Sequence, residues 1–123
     1  LQAQPNSPMV LNNLAWALGQ LKDGRALDYA EKALKLAPNQ PAIMDTTAML
    51  LVEKGNTVRA LELLKNATKL APNAADIKLN LARVQIKAGQ KAEARQLLEE
   101  LAKLADKFPA QAEVAKLLKE IGN

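Results

Sequence analysis

The chain has 123 residues, with 17 Lys and Arg against 13 Asp and Glu, and its net charge of +4 is spread along the whole length. It contains no Cys and no His, which removes disulfides, thiolate chemistry, imidazole bases and the usual zinc ligand sets. Apolar residues make up 49% but aromatics only 2%, so the apolar content is mostly Ala and Leu, strong helix formers, and no run is long and apolar enough to span a membrane.

Residues 1–5, LQAQP, fit the end of an earlier helical unit, because Pro5 precedes Pro38 by 33 residues and Pro38 precedes Pro72 by 34. The sequence is accordingly read as a piece of a longer repeat array. A first helix is expected over roughly Pro8 to Gln20, with Pro8 in its first turn and Ser7 as N-cap. Leu11, Leu14, Ala15 and Leu18 recur at helical spacing as one inward face. Val10, Ala17 and Leu21 form a second stripe. Asp23-Gly24 marks a turn, and a second helix runs from about Arg25 to Ala37, where Pro38 stops it.

The same plan recurs twice. Helices are expected over about Pro41 to Lys54 and Thr57 to Ala71, with Gly55-Asn56 between them. A third pair covers about Ala75 to Ala88 and Lys91 to Ala105, joined at Gly89-Gln90. The turn glycines suit C-cap positions, where the backbone turns left-handed. After the linker Lys107-Phe108-Pro109, a last helix is expected over Ala110 to Ile121. Its stripe is Val114, Leu117, Leu118 and Ile121, with Glu113, Lys116, Lys119 and Glu120 directed away.

Three stretches, ALDYAEKALKLAP (26–38), ALELLKNATKLAP (60–72) and ARQLLEELAKLAD (94–106), stand 34 residues apart. A fixed period of that size means one helical unit stacked several times, each copy covering its neighbour's apolar face. The units are 8–38, 41–72 and 75–106. Leu118 falls where they carry Ala15, Ala48 and Ala82, and would obstruct a following helix; 110–121 therefore reads as the cap that such arrays need.

The pattern resembles the tetratricopeptide repeat (TPR): helix A, a turn and helix B, with small residues at set places and a closing proline. The resemblance implies an all-α, right-handed α-solenoid of TPR repeats with a C-terminal capping helix, forming a single domain over 1–123. It pairs Ala15 with Ala26, Ala48 with Ala60 and Ala82 with Ala94 at helix crossings, and puts Ala33 and Ala67 where the next repeat approaches. Gly55 and Gly89 match the turn glycine. The first turn is one residue short, and Leu11, Met44 and Lys78 replace the usual large aromatic. Thr47 stands where Leu14 and Leu81 stand, and the third unit has Asp106 for proline and Leu101 for the late small residue. The C-terminal stretch LAKLADKFPAQAEVAKLLKEIGN, with LNNLAWALGQLKDGRALDYAEKAL, is similar to TPR lipoproteins of bacterial PEP-CTERM/exosortase systems. That likeness implies a place in the cell envelope, periplasmic or lipid-anchored at the outer membrane, and a link to exopolysaccharide export.

In the TPR pattern helix A lines the inner surface. Asn12, Asn13, Trp16 and Gln20 would lie there from the first unit, and Asp45, Thr46, Met49 and Glu53 from the second. The third would add Leu79, Asn80, Arg83, Ile86 and Lys87. Trp16, Met49 and Arg83 occupy one position in successive units, an aromatic, a thioether and a guanidinium suited to a peptide or protein ligand. Each also has a plainer reading: Trp16 packing on a preceding repeat, Met49 filling space, Arg83 pairing with a carboxylate. The family's clamp for C-terminal carboxylates asks for basic residues, and here the matching positions are Asn12 and Asp45, so that activity is not carried over.

Asp45 and Glu53 lie about two turns apart and could act as an acid–base pair, but no nucleophile or phosphate loop accompanies them. The chain therefore reads as a non-catalytic scaffold without cofactor or metal. Carbohydrate stacking on Trp16 and a purely structural role are the alternatives. Nucleic acid is not expected, since basic residues are scattered and aromatics scarce. On the TPR pattern the stripe Val10, Ala17 and Leu21 meets helix B of a preceding repeat; without that helix a homodimer through the N-terminal end is expected, the alternative being a monomer in which residues 1–5 fold back over the stripe.

Overall fold

The structure is a computed structural model and describes residues 7–104 and 109–122. Among them are seven helices and no strand: α1 (Pro8–Gln20), α2 (Ala26–Leu36), α3 (Pro41–Glu53), α4 (Thr57–Leu70), α5 (Ala75–Lys87), α6 (Lys91–Ala102) and α7 (Gln111–Glu120). The bounds agree with the sequence reading to about one residue, except that α6 ends at Ala102, three residues early. The remnant expected at residues 1–5 and the linker residues Lys107 and Phe108 lie outside the described residues.

Local chemistry sets the helix ends. Pro8 and Pro41 stand in the first turns of α1 and α3, where a missing N–H costs nothing. Ala37 and Ala71, just before prolines, leave helical geometry and end α2 and α4. Ser7 occupies the N-cap position, but its hydroxyl makes no capping bond; its carbonyl accepts the Leu11 N–H at 2.9 Å. Asn56 does cap with its side chain, accepting the Arg59 N–H at 3.3 Å.

The three helix A to helix B turns share one hydrogen-bond pattern. Asp23, Asn56 and Gln90 each donate their N–H to the carbonyl five residues back, at 2.9, 2.9 and 2.8 Å. Lys22, Gly55 and Gly89 each donate three residues back, at 3.0, 3.0 and 3.1 Å. This is the Schellman arrangement, which requires a left-handed residue at its centre. Gly55 (φ 87°) and Gly89 (φ 82°) supply it; in the first unit the left-handed residue is Lys22 (φ 59°), not the expected Gly24. Asp23 stabilises this turn by accepting Arg25 N–H and Nε–H at 2.9 and 3.0 Å.

Each helix A packs against its own helix B, and each helix B against the next helix A. Ala15, Ala48, Ala60, Ala82 and Ala94 are fully buried and Ala26 nearly so, each pair within one apolar cluster. Ala33 and Ala67 are also fully buried, at the approach of the next unit. Thr47 fits this interior because its hydroxyl donates to the Ile43 carbonyl one turn back, at 2.8 Å. Between units, Arg59 of α4 forms a two-pronged ion pair with Glu31 of α2, Nη2 lying 2.8 Å from Oε1. Leu101 of α6 packs in one cluster with Val114 and Leu117 of α7 and with Ile121 just after it, so the leucine that breaks the alanine pattern holds the cap.

The first helix departs from expectation. Leu14 does not face inward: it is 40% exposed, in line with Val10 (38%), Ala17 and Leu21 (76%). The aligned residues Ile43, Thr47 and Leu50, and Ile77, Leu81 and Val84, are all buried, because α2 and α4 cover them. Nothing among the described residues covers the stripe on α1.

Lys22 carries a strain that its counterparts avoid, since a side chain in the left-handed region costs roughly 1–2 kcal/mol. Its exposed contact with Glu53, at 3.9 Å, offers little in return. Lys22→Gly should therefore raise stability by about 1 kcal/mol, seen as a higher urea midpoint, while Gly55→Ala should lower it by a similar amount. An unchanged or lower midpoint for Lys22→Gly would refute the assignment of strain.

Candidate functional site

A cleft of about 360 Å³ opens on the helix A side, lined by residues of α1, α3 and α5. That volume lies within the usual range of ligand clefts, about 300–1,000 Å³. Trp16 and Gln20 come from α1; Asp45, Thr46, Met49 and Glu53 from α3; Asn80 and Arg83 from α5. Trp16, Met49 and Arg83, placed by their common register, do converge on one cleft. The Trp16 indole is 59% exposed, while Met49 is half-buried against the central core.

The other candidates are placed differently. Asn12 is buried, and Asn13 and Lys87 are exposed outside the cleft lining. Leu79 is buried against α7 and Ile86 packs on the same cluster, so both belong to the cap interface rather than the inner surface. The lining also includes Gly19 and Leu50. Gly19 stands where the later units have Val52 and Ile86; a Cβ there would lie 2.9 Å from Leu50 Cδ2, so glycine lets Leu50 lie close.

Two larger clefts, about 480 and 440 Å³, lie where the end of a helix B meets the next unit. Their linings repeat each other: Pro38, Asn39 and Leu70 in one match Pro72, Asn73 and Leu104 in the other. Such hollows follow from the stacking itself. The helix A cleft differs because its residues vary from unit to unit, so it presents one distinct chemical surface.

A chain of polar contacts crosses the cleft floor. Asn80 Nδ2–H donates to Asp45 Oδ1 at 2.9 Å, and Arg83 Nη1–H donates to Asn80 Oδ1 at 2.5 Å. Arg83 also grips Glu113 of α7, Nε to Oε2 at 2.8 Å and Nη2 to Oε1 at 2.6 Å. Glu113 therefore does not merely face solvent, as the stripe on α7 suggested; it is the partner of Arg83. Arg83 accordingly has the plain pairing role and also lines the cleft. Glu113 was invisible to repeat alignment because it lies beyond the third unit, on the cap.

Burial pushes the Asp45 carboxyl up to about 6, against the opposing Asn80 hydrogen bond; Asp76 raises it further and Arg83 lowers it. Asp45 and Glu53 share the cleft, but no group of three or more acidic residues among those described is arranged to hold a metal ion.

A sequence profile described as Tetratricopeptide repeat matches residues 51–121. The chain belongs to the tetratricopeptide repeat family. Solved structures share its all-α TPR fold. Yeast Tom70 is 27% identical with a TM-score of 0.81, over 95% of this chain and 26% of that one. The chain thus spans about a quarter of the length of Tom70. The TPR2B domain of yeast Sti1, solved in complex with pHsp70, is 16% identical with a TM-score of 0.83, over 93% of this chain and 94% of that one. The first TPR of Spaghetti (RPAP3), bound to the HSP90 peptide SRMEEVD, is 17% identical with a TM-score of 0.77, over 98% of both chains. No curated protein sequence matches the chain.

Asp45 makes stability depend on pH. Its folded pKa of about 6 lies above its ordinary value of 3.8, so the folded chain holds this proton more tightly than the unfolded chain. Its contribution is most favourable below the ordinary value and is lost as pH rises through about 6. Asp45→Asn should remove that decline and raise stability at about pH 7.5 by roughly 1–2 kcal/mol, after allowance for partial exposure. Urea melts of both proteins across the acid range check this; parallel pH profiles would contradict it.

Proposed function

We propose that the chain is a non-catalytic interaction scaffold that binds a peptide or protein segment along the helix A cleft. The observation that carries this is the convergence of Trp16, Met49, Asp45 and Asn80, from three successive units, on one open cleft. An exposed indole, an adaptable thioether and polar groups able to meet an extended backbone form a surface of hot-spot type. Structures of this fold were solved in complex with pHsp70 and bound to an HSP90 peptide, which supports the same use here. Peptides selected from a random display library on the whole chain provide the test. Trp16→Ala should weaken them about tenfold or more. Lys32→Ala, on the exposed face of α2, should leave them unchanged. Selected peptides with the same affinity for all three proteins would place binding elsewhere.

The uncovered stripe of α1 supports a second property, self-association. Val10, Leu14, Ala17 and Leu21 form contiguous exposed apolar surface, which a second copy can cover by two-fold packing. Light scattering over a concentration series should show a dimer that Val10→Glu with Leu21→Glu disrupts; a monomer throughout would end this proposal. The envelope setting, and a role in exopolysaccharide assembly, rest on the likeness of the two stretches quoted above, 11–34 and 101–123, alone. A signal peptide with a lipid-modified cysteine upstream in the parent gene would support that setting, and a parent without them would remove it.

A further inference from the structure

The charges of the cleft are unevenly satisfied. Asp45, Glu53 and Arg83 are its charged lining residues. Each nitrogen of Arg83 already has a partner: Nε and Nη2 hold Glu113, and Nη1 holds Asn80. A planar guanidinium in a two-pronged pair with a carboxylate has little attraction left for a second anion. Asp45, by contrast, has one neutral partner, Asn80, and no cation within 4.0 Å among the described residues. Among the described residues Glu53 meets only the solvated Lys22 ammonium, at 3.9 Å, a contact of the weak, screened kind. The unmet demand of this cleft is for positive charge.

We propose that the cleft accepts a lysine or arginine side chain of an extended partner segment, its cation against the Asp45 carboxylate and beside the Trp16 indole, and that Glu113 sets this preference by occupying Arg83. The proposal rests on the cleft being the binding surface. The Trp16 ring offers an exposed π-face to a cation. The aliphatic stem of the same side chain can lie along Met49 and Leu50, which line the cleft floor. An apolar side chain would shield Asp45 from water without neutralising it, and an acidic one would add repulsion from Asp45, Glu53 and the nearby Asp76. The groups acting on Asp45 from the packed α5 are Asn80, Asp76 and Arg83, and Arg83 has the smallest effect of the three. A bound cation is therefore the missing counter-ion of a carboxylate that burial already disfavours. The peptide in the Spaghetti complex, SRMEEVD, has three acidic residues among its last four, and the charge balance here points the other way.

Trp16 is the one tryptophan of the chain, so its emission reports on the cleft directly. The probes are three pools of end-blocked heptapeptides, degenerate except for a fixed central lysine, leucine or glutamate. At about pH 7.5 the lysine pool should shift Trp16 emission at concentrations about tenfold lower than the other two. Asp45→Asn should abolish that advantage, and lowering the pH to about 5 should shrink it, because Asp45 then takes up its proton. Glu113→Gln should release Arg83, improving the glutamate pool and weakening the lysine pool. Pools that shift the emission without a lysine preference, or a preference unchanged in both variants, would overturn the proposal while leaving the cleft as a binding surface. No response to any pool would overturn the cleft reading itself.

Discussion

The close approach of helix A and helix B within each unit is the constraint on which the rest depends. It is possible only because alanine stands on both sides of each crossing: Ala15 with Ala26, Ala48 with Ala60, Ala82 with Ala94. A larger side chain at any of these would push the axes apart, and interiors packed at crystal-like density have no room to absorb the change. With the crossings tight, the bulkier Leu51, Leu64, Leu81 and Leu98 fill the space on either side. The apolar surface left over by one unit is then the surface that the next unit covers, so the stack propagates.

Stacking also sets the helix A faces side by side, and that produces the cleft. Residues at one repeat position become neighbours across units, so differences between repeats turn into chemical variety within one groove. Trp16, Met49 and Arg83 illustrate this. The polar chain from Asp45 through Asn80 and Arg83 to Glu113 ties α3, α5 and α7 together. A consequence is electrostatic: the guanidinium of the cleft is paired with the cap, and the carboxylate at the other end of the chain has no ion-pair partner among the described residues.

The two ends of the array solve the same problem unequally. At the C-terminal end, α7 covers the last apolar face, with Leu101 filling the gap that a small residue would leave. At the other end Val10, Leu14, Ala17 and Leu21 are uncovered by any of the described residues. The counterparts of Val10, Leu14 and Ala17 in α3 and α5 are buried, so these positions are interior ones in the later units.

The sequence by itself determined the helices, their pairing and the crossing points. Those follow from short-range rules: a 34-residue period, alanines at fixed places, prolines and glycines at helix ends. It also placed Trp16, Met49 and Arg83 on a common face, because register within a repeat is conserved by helix geometry alone. What it could not determine were contacts between residues with no repeat relation. Leu14 was read as inward because helical spacing records which side chains share a face, and burial depends on whether another helix covers that face. Glu113 was read as solvated for the same reason, since its meeting with Arg83, thirty positions earlier, exists only once α7 docks on α5. Lys22 takes a left-handed conformation that nothing in a lysine signals; it stands at the same place after helix A as Gly55 and Gly89, and the Schellman hydrogen bonds of that place require the conformation. The acidity of Asp45 is likewise a tertiary property, set by burial and by a guanidinium that the fold has engaged elsewhere.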